Sequence, residues 1–151
     1  MIDGVIIKDL KRIADERGYL MEILRDDDEF FDRFGQTYVS AVEPGVVKAW
    51  HYHREQTDHA VCVSGMIKLV MHDDREGSPT KGKTQVLFIG DRNPQLVRIP
   101  KGVYHGWKGI STFPSLVINV PDRHYDYENP DEYREDPHGD KIPYDWSRED
   151  G

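Results

Sequence analysis

Apolar runs of five to seven residues recur along the chain and are broken every eight to twelve residues by turn chemistry. "GVIIK" (4–8), "YLMEIL" (19–24), "TYVSAV" (37–42), "VVKAWHY" (46–52), "HAVCV" (59–63), "MIKLVMH" (66–72), "TQVLFIG" (84–90), "QLVRIP" (95–100), "YHGWKG" (104–109) and "SLVINV" (115–120) read as strands. They are rich in β-branched and aromatic residues and too short for helices. Between them lie "EPG", "SG", "DDREGSPTKG", "GDRNP" and "PKG", where glycine supplies positive φ and proline presets a turn. The spacing predicts an all-β sandwich or barrel. One short helix is predicted at "DDDEFFDRF" (26–34), since its acidic start suits the positive end of a helix dipole and its Phe residues would face the core.

The pattern changes after residue 120. Residues 121–151 are rich in Pro, Asp and Tyr, and scattered prolines exclude regular sheet. The chain therefore divides into a barrel domain, 1–120, and a C-terminal extension, 121–151. The extension either packs over the barrel through Tyr125, Tyr127, Tyr133, Tyr144 and Trp146, or trails in solvent with only Tyr144 and Trp146 docked.

A length of 151 residues suits a single core that needs no disulfide or structural metal. The net charge of −8 argues against nucleic acid or an anionic membrane as the partner. One cysteine, Cys62, cannot form an internal disulfide, and no long apolar run is present, so a cytoplasmic location is expected.

The chemistry concentrates in "VKAWHYHREQTDHAVCVSG" (47–65), which holds three of the seven histidines. On a strand, residues i and i+2 share a face, so His51 and His53 point the same way. Two adjacent imidazoles can serve as metal ligands or in proton transfer. Asp58 has two readings. If it faces inward, so do Ala60, Cys62 and Ser64; if outward, His59, Val61 and Val63 line the interior. The spacing Gly45, five residues, His51-Tyr52-His53, four residues, Asp58, six residues, Gly65, followed by Pro100-Lys101-Gly102-Val103-Tyr104-His105, resembles the two signatures of the cupin superfamily. That resemblance implies a double-stranded β-helix, or jelly-roll barrel. In its metal-binding members, His51, His53, Asp58 and His105 would be the ligands of one divalent ion.

A narrower resemblance covers most of the chain. "DERGYLMEI" (15–23), "VVKAWHYHREQ" (46–56), "DDREGSPTKGK" (73–83), "IPKGVYHGW" (99–107) and "EDPHGDKIPYDW" (135–146) resemble, in order, motifs of the dTDP-4-dehydrorhamnose 3,5-epimerase family. The resemblance implies an isomerase that takes a proton from the carbon beside the C4 ketone of a nucleotide sugar and returns one to the other face. It implies His51 as general base with His105 in the same pocket, and Lys48 at the phosphates. Arg17, Glu22 and Gln36 would hold the nucleotide, some of them across a strand-exchanged homodimer. It implies no cofactor.

Three positions depart from the family's pattern. Asp58 stands where the family has an enolate-stabilising Lys, and Ile118 where it has its general-acid Tyr. His53 replaces a Gln and joins the substrate-binding candidates. Tyr104, Tyr52 or Tyr125 then becomes the candidate donor, with Tyr104 the first choice. Three readings stay open: an epimerase or isomerase of a dTDP-type 4-keto-6-deoxyhexose, a metal-dependent cupin such as a dioxygenase, and a sugar-nucleotide-binding module without turnover. A metal-bound His51 is not a free base, so the first two exclude each other.

Overall fold

The structure is a computed structural model that describes residues 1–150. Its strands are β1 (Ile6–Asp9), β2 (Arg12–Asp15), β3 (Gly18–Met21), β4 (Tyr38–Val42), β5 (Val47–Tyr52) and β6 (Asp58–Ser64). There follow β7 (Met66–Asp73), β8 (Thr84–Gly90), β9 (Gln95–Ile99), β10 (Val103–Gly109), β11 (Ser115–Asn119) and β12 (Tyr133–Arg134). Two five-stranded sheets form, in the orders β1-β9-β6-β11-β4 and β12-β5-β10-β7-β8, and β2 and β3 make a separate hairpin. The architecture is the cupin jelly roll. Every predicted run lies on a strand; β2 and β12 are additional.

The inner faces meet in one apolar core. Ala60 and Cys62 of β6, Ile67, Leu69 and Met71 of β7, Val97 and Ile99 of β9, Trp107 of β10 and Val117 of β11 are buried together. The alternation places Asp58 inward with Ala60 and Cys62. His59, Val61 and Val63 take the outer face, where Val61 and Val63 pack with Leu10, and Phe30 stacks on His59 at 6.0 Å between ring centroids. Gly65 turns the chain from β6 into β7 at φ +77°, and a Cβ there would sit 2.5 Å from Ser115 Oγ, so only glycine fits.

No helix forms at 26–34; residues 26–30 are turns, and 31–34 continue as irregular chain. Nine residues are too few to offset helix nucleation without packing on a long apolar stripe. Asp28 instead takes the backbone N–H of Arg25 at 2.9 Å and the Lys8 ammonium at 2.7 Å. A short carboxylate that bonds its own neighbourhood favours turns over helix. Phe30 still packs, but on the outer face of β6, while Phe34 is 63% exposed.

The loop "DDREGSPTKG" is built around one buried carboxylate. Asp73 accepts from Arg75 Nε at 2.8 Å, Ser78 Oγ at 2.6 Å and Thr80 Oγ1 at 2.6 Å. Burial opposes its charge, but these donors hold it well below the usual carboxylate range.

The C-terminal segment packs on the barrel. Tyr133 and Arg134 pair with Tyr52 and His51 of β5. Ile142 and Trp146 are buried with Trp50, Val70 and Tyr104 on the outer face of the second sheet, and the Trp50 and Trp146 rings lie 5.1 Å apart. Lys68 and Lys108 donate to the Ser147 and Trp146 carbonyls. Replacing Trp146 by Ala should therefore cost about 3–5 kcal/mol in urea unfolding, within a single transition. A loss below about 1 kcal/mol would mean that the segment adds little to the folded unit.

Candidate active site

His51 and His105 lie on neighbouring strands in direct register. Their approach depends on Gly106, where any Cβ would collide with Ala49 of β5. The two rings stand perpendicular, with centroids 4.6 Å apart, and Trp107 closes the other side of His51 at 5.5 Å. His53 follows on the same inner face, and Asp58 reaches the group from the opposite sheet.

Asp58 is the hub. One oxygen, Oδ2, lies 3.2 Å from His53 Nε2 and 3.2 Å from His105 Nε2. The other, Oδ1, accepts from Gln56 Nε2 at 2.8 Å. The Nδ1 atoms of both rings face backbone carbonyls, of Asp131 for His53 and of Val103 for His105. A carbonyl only accepts, so each Nδ1 carries hydrogen and each Nε2 is the edge presented to Asp58. Asp131 is positioned by its own cap, accepting the backbone N–H groups of Arg54, Glu55 and Gln56.

These contacts push the histidines apart in charge. Burial opposes a charge on His53, but the hydrogen bond and charge of Asp58, with Asp131, carry its pKa up to about 9. Burial also opposes ionisation of Asp58, yet the two imidazoles hold it well below the carboxylate range. His51 goes the other way. Burial and then His105 hold it well below the ordinary imidazole value. Among the described residues, neither ring nitrogen of His51 has a hydrogen-bond partner.

Three ligand atoms, from His53, Asp58 and His105, lie within 4.8 Å of one another and are, among the described residues, the set able to hold a metal ion. His51 stands outside that set, which corrects the four-ligand expectation from the cupin signature. The Nδ1–H to carbonyl bonds are the kind of support that orients histidine ligands. The same contacts are also complete without an ion, as an imidazolium–carboxylate pair.

A cavity of about 1170 Å³ opens beside the cluster, with His53, Gln56 and Tyr38 on its inner wall. Its outer part carries the rings of Phe34, Tyr125 and Tyr127 and the guanidinium groups of Arg33 and Arg123. Gln36 lines it too and accepts the Tyr125 backbone N–H at 3.0 Å. Lys48 spans the gap between the sheets, from β5 to Ser40 Oγ (3.0 Å) and the Ala41 carbonyl (2.5 Å) on β4.

Three sequence candidates lie elsewhere. Arg17, at the tip of the β2–β3 hairpin, is exposed and pairs with Asp15; Glu22 is exposed and pairs with Arg25. Neither reaches the cavity of its own chain. Tyr104 occupies the opposite face of β10 from His105, buried beside Trp50 and taking the Lys141 ammonium at 2.9 Å. It is thus misplaced as a donor to this site, because strand alternation turns it away. No local motif marks Tyr38, Gln56 or Asn119, and only the long-range pairing of β4, β6 and β11 brings them to the site.

Residues 1–149 match the model of a single protein family. The chain is 48% identical over 146 residues to "Probable low-salt glycan biosynthesis epimerase Agl13" of Haloferax volcanii, covering 95% of this chain and 89% of that one. It is 40% identical to "Spore coat polysaccharide biosynthesis protein SpsL" of Bacillus subtilis, over 99% of both. Among solved structures, it superposes on a dTDP sugar isomerase from Desulfovibrio desulfuricans with a TM-score of 0.92 at 33% identity, over 99% of this chain and 94% of that one. The chain belongs to the dTDP-4-dehydrorhamnose 3,5-epimerase family.

Proposed function

We propose that the protein epimerises a nucleoside diphosphate sugar of the dTDP-4-keto-6-deoxyhexose type, with His51 taking the proton beside the ketone and no metal required. The observation that carries this reading is the setting of His51: partly exposed, between His105 and Trp107, without a side-chain hydrogen bond among the described residues, and held by burial and His105 well below the ordinary imidazole value. The other two imidazoles have both nitrogens engaged. A neutral imidazole accepts a proton; an engaged one does not.

Removing a proton beside a ketone places charge on the carbonyl oxygen, which needs a donor. Gln56 supplies one. Its Nε2 gives one hydrogen to Asp58 Oδ1, and the ring nitrogen 3.4 Å away on His53 has no lone pair once that ring is charged. The second Gln56 N–H is then available to the enolate oxygen. The His53 charge replaces the Lys that Asp58 displaces, one step removed. The cavity accommodates the rest of the substrate: aromatic rings for the base, and Arg33 and Arg123 for the diphosphate. In this reading, Arg17 and Glu22 serve the partner subunit's site in a homodimer.

The test is solvent exchange. In D2O the enzyme should place deuterium at the carbon next to the ketone of a dTDP-4-keto-6-deoxy sugar, at an undiminished rate after EDTA dialysis. Binding of dTDP with no exchange would favour a non-catalytic module. Exchange lost with EDTA and restored by a divalent ion would favour the His53, Asp58 and His105 metal reading.

A further inference from the structure

Inversion needs a proton donor on the face of the sugar opposite the base, and the strand position where the family carries one is Ile118 here. Ile118 points outward, packed with the β6 residues Val61 and Val63. The neighbouring strand holds a different candidate. Tyr38 of β4 is in register with Asn119 of β11. On β11, Val117 faces the core, so Asn119, two residues on, faces the interior as well, and its partner Tyr38 shares that face. Tyr38 lines the cavity together with His53 and Gln56.

Its position relative to His51 follows from Lys48. The Lys48 side chain contacts Ala41, fixing β4 and β5 across the gap between the sheets. These strands flank the same turn, residues 43–46, so counting back along β4 and forward along β5 both lead away from it. Three residues further along each from that contact stand Tyr38 and His51. They rise from the two facing sheets, and a sugar ring held between those sheets would have His51 on one side and Tyr38 on the other.

The direction of the Tyr38 proton is also set. Asn119 Oδ1 accepts the His59 backbone N–H at 3.0 Å, which orients its amide so that Nδ2 donates to Tyr38 Oη at 3.0 Å. The phenol oxygen is an acceptor in that bond, and its own hydrogen is left for the cavity. We propose that Tyr38 is the general acid of this enzyme, delivering its hydroxyl proton to the enolate carbon on the face opposite His51, with Asn119 stabilising the phenolate that remains. The C–H bond breaks to His51, the new C–H bond forms from the Tyr38 O–H, and water in the cavity returns the proton from imidazolium to phenolate. No redox partner is needed. Burial, and then the Asp58 charge, raise the Tyr38 pKa to about 12, which keeps the phenol protonated until the enolate forms.

This inference rests on the epimerase reading, and one experiment separates the two. Wild type and Tyr38→Phe are each given a dTDP-4-keto-6-deoxy sugar in D2O, and deuterium in recovered, uninverted substrate is measured beside inverted product. The expected result for Tyr38→Phe is deuterium wash-in within about fivefold of wild type and inverted product lower by about 100-fold or more. Asn119→Asp keeps the acceptor for His59 N–H and removes the donor to Tyr38; it should shift the same ratio by about tenfold with Tyr38 intact. Tyr38→Phe forming inverted product within about tenfold of wild type overturns the assignment. So does loss of wash-in together with product in a variant that unfolds like wild type and still binds dTDP, since that outcome marks a role in positioning substrate. Wild type that shows neither wash-in nor deuterated inverted product overturns the epimerase reading and this assignment with it.

Discussion

Replacing His51 by Asn is expected to abolish solvent exchange into a 4-keto sugar, lowering turnover by about a thousandfold or more, with dTDP affinity within a few-fold of wild type. Asn is polar and fits the volume, and His51 makes no hydrogen bond that its loss would break among the described residues. The effect should therefore fall on kcat and leave unfolding unchanged. The pH profile carries the same assignment. A base held well below the ordinary imidazole value is already neutral at pH 6.5, so kcat/KM should be flat from about pH 6.5 to 8, where an unperturbed histidine would still titrate. Activity should then fall as pH rises through about 9, where His53 loses the charge that frees Gln56. Retention of more than a tenth of the exchange rate by His51→Asn would move the base elsewhere.

The strands were legible because their cause is local. Val, Ile and aromatic runs bounded by glycine and proline have few alternatives to a half-buried strand. The turns at 26–30 were not, because acidic residues at a helix start and in Asx-type turns look alike until Lys8 and Arg25 are seen to meet Asp28. β2 carries too few apolar residues to announce itself; it forms by pairing with β3. The site was half legible. His-x-His on one strand predicts a shared face, and His51, His53 and His105 do converge. The inward turn of Asp58 depends on the register of β6 with β9 and β11, and a one-residue slip would reverse it. Tyr104 and Tyr38 show the limit most clearly. The first adjoins His105 in sequence yet lies behind the sheet. The second is far from every motif and reaches the cavity through pairing with a residue 81 positions away. The longest motif of the resemblance, "DDREGSPTKG", has a folding cause in the donors around Asp73.

Replacing Asp58 by Asn tests whether the pair with His53 is electrostatic. His53 has a folded-state pKa of about 9 against 6.5 for the free side chain. A raised pKa means that the native state binds the proton more tightly. The stabilisation is therefore complete below pH 6.5 and is lost as pH rises through about 9. The interval corresponds to about 3 kcal/mol. Asp58→Asn should accordingly lose about 2–4 kcal/mol relative to wild type in urea unfolding at pH 6. The difference should narrow at pH 10, where wild-type His53 is neutral and the buried Asp58 carboxylate has lost its main counter-charge. NMR titration supplies the residue-level check: without the carboxylate, burial of His53 is opposed only by Asp131, and its pKa should drop toward 6.5 or below. A His53 signal still titrating near 9 in Asp58→Asn, or a stability loss independent of pH, would mean that Asp58 acts through shape and hydrogen bonding. In that case the positive charge assigned to the site has another source.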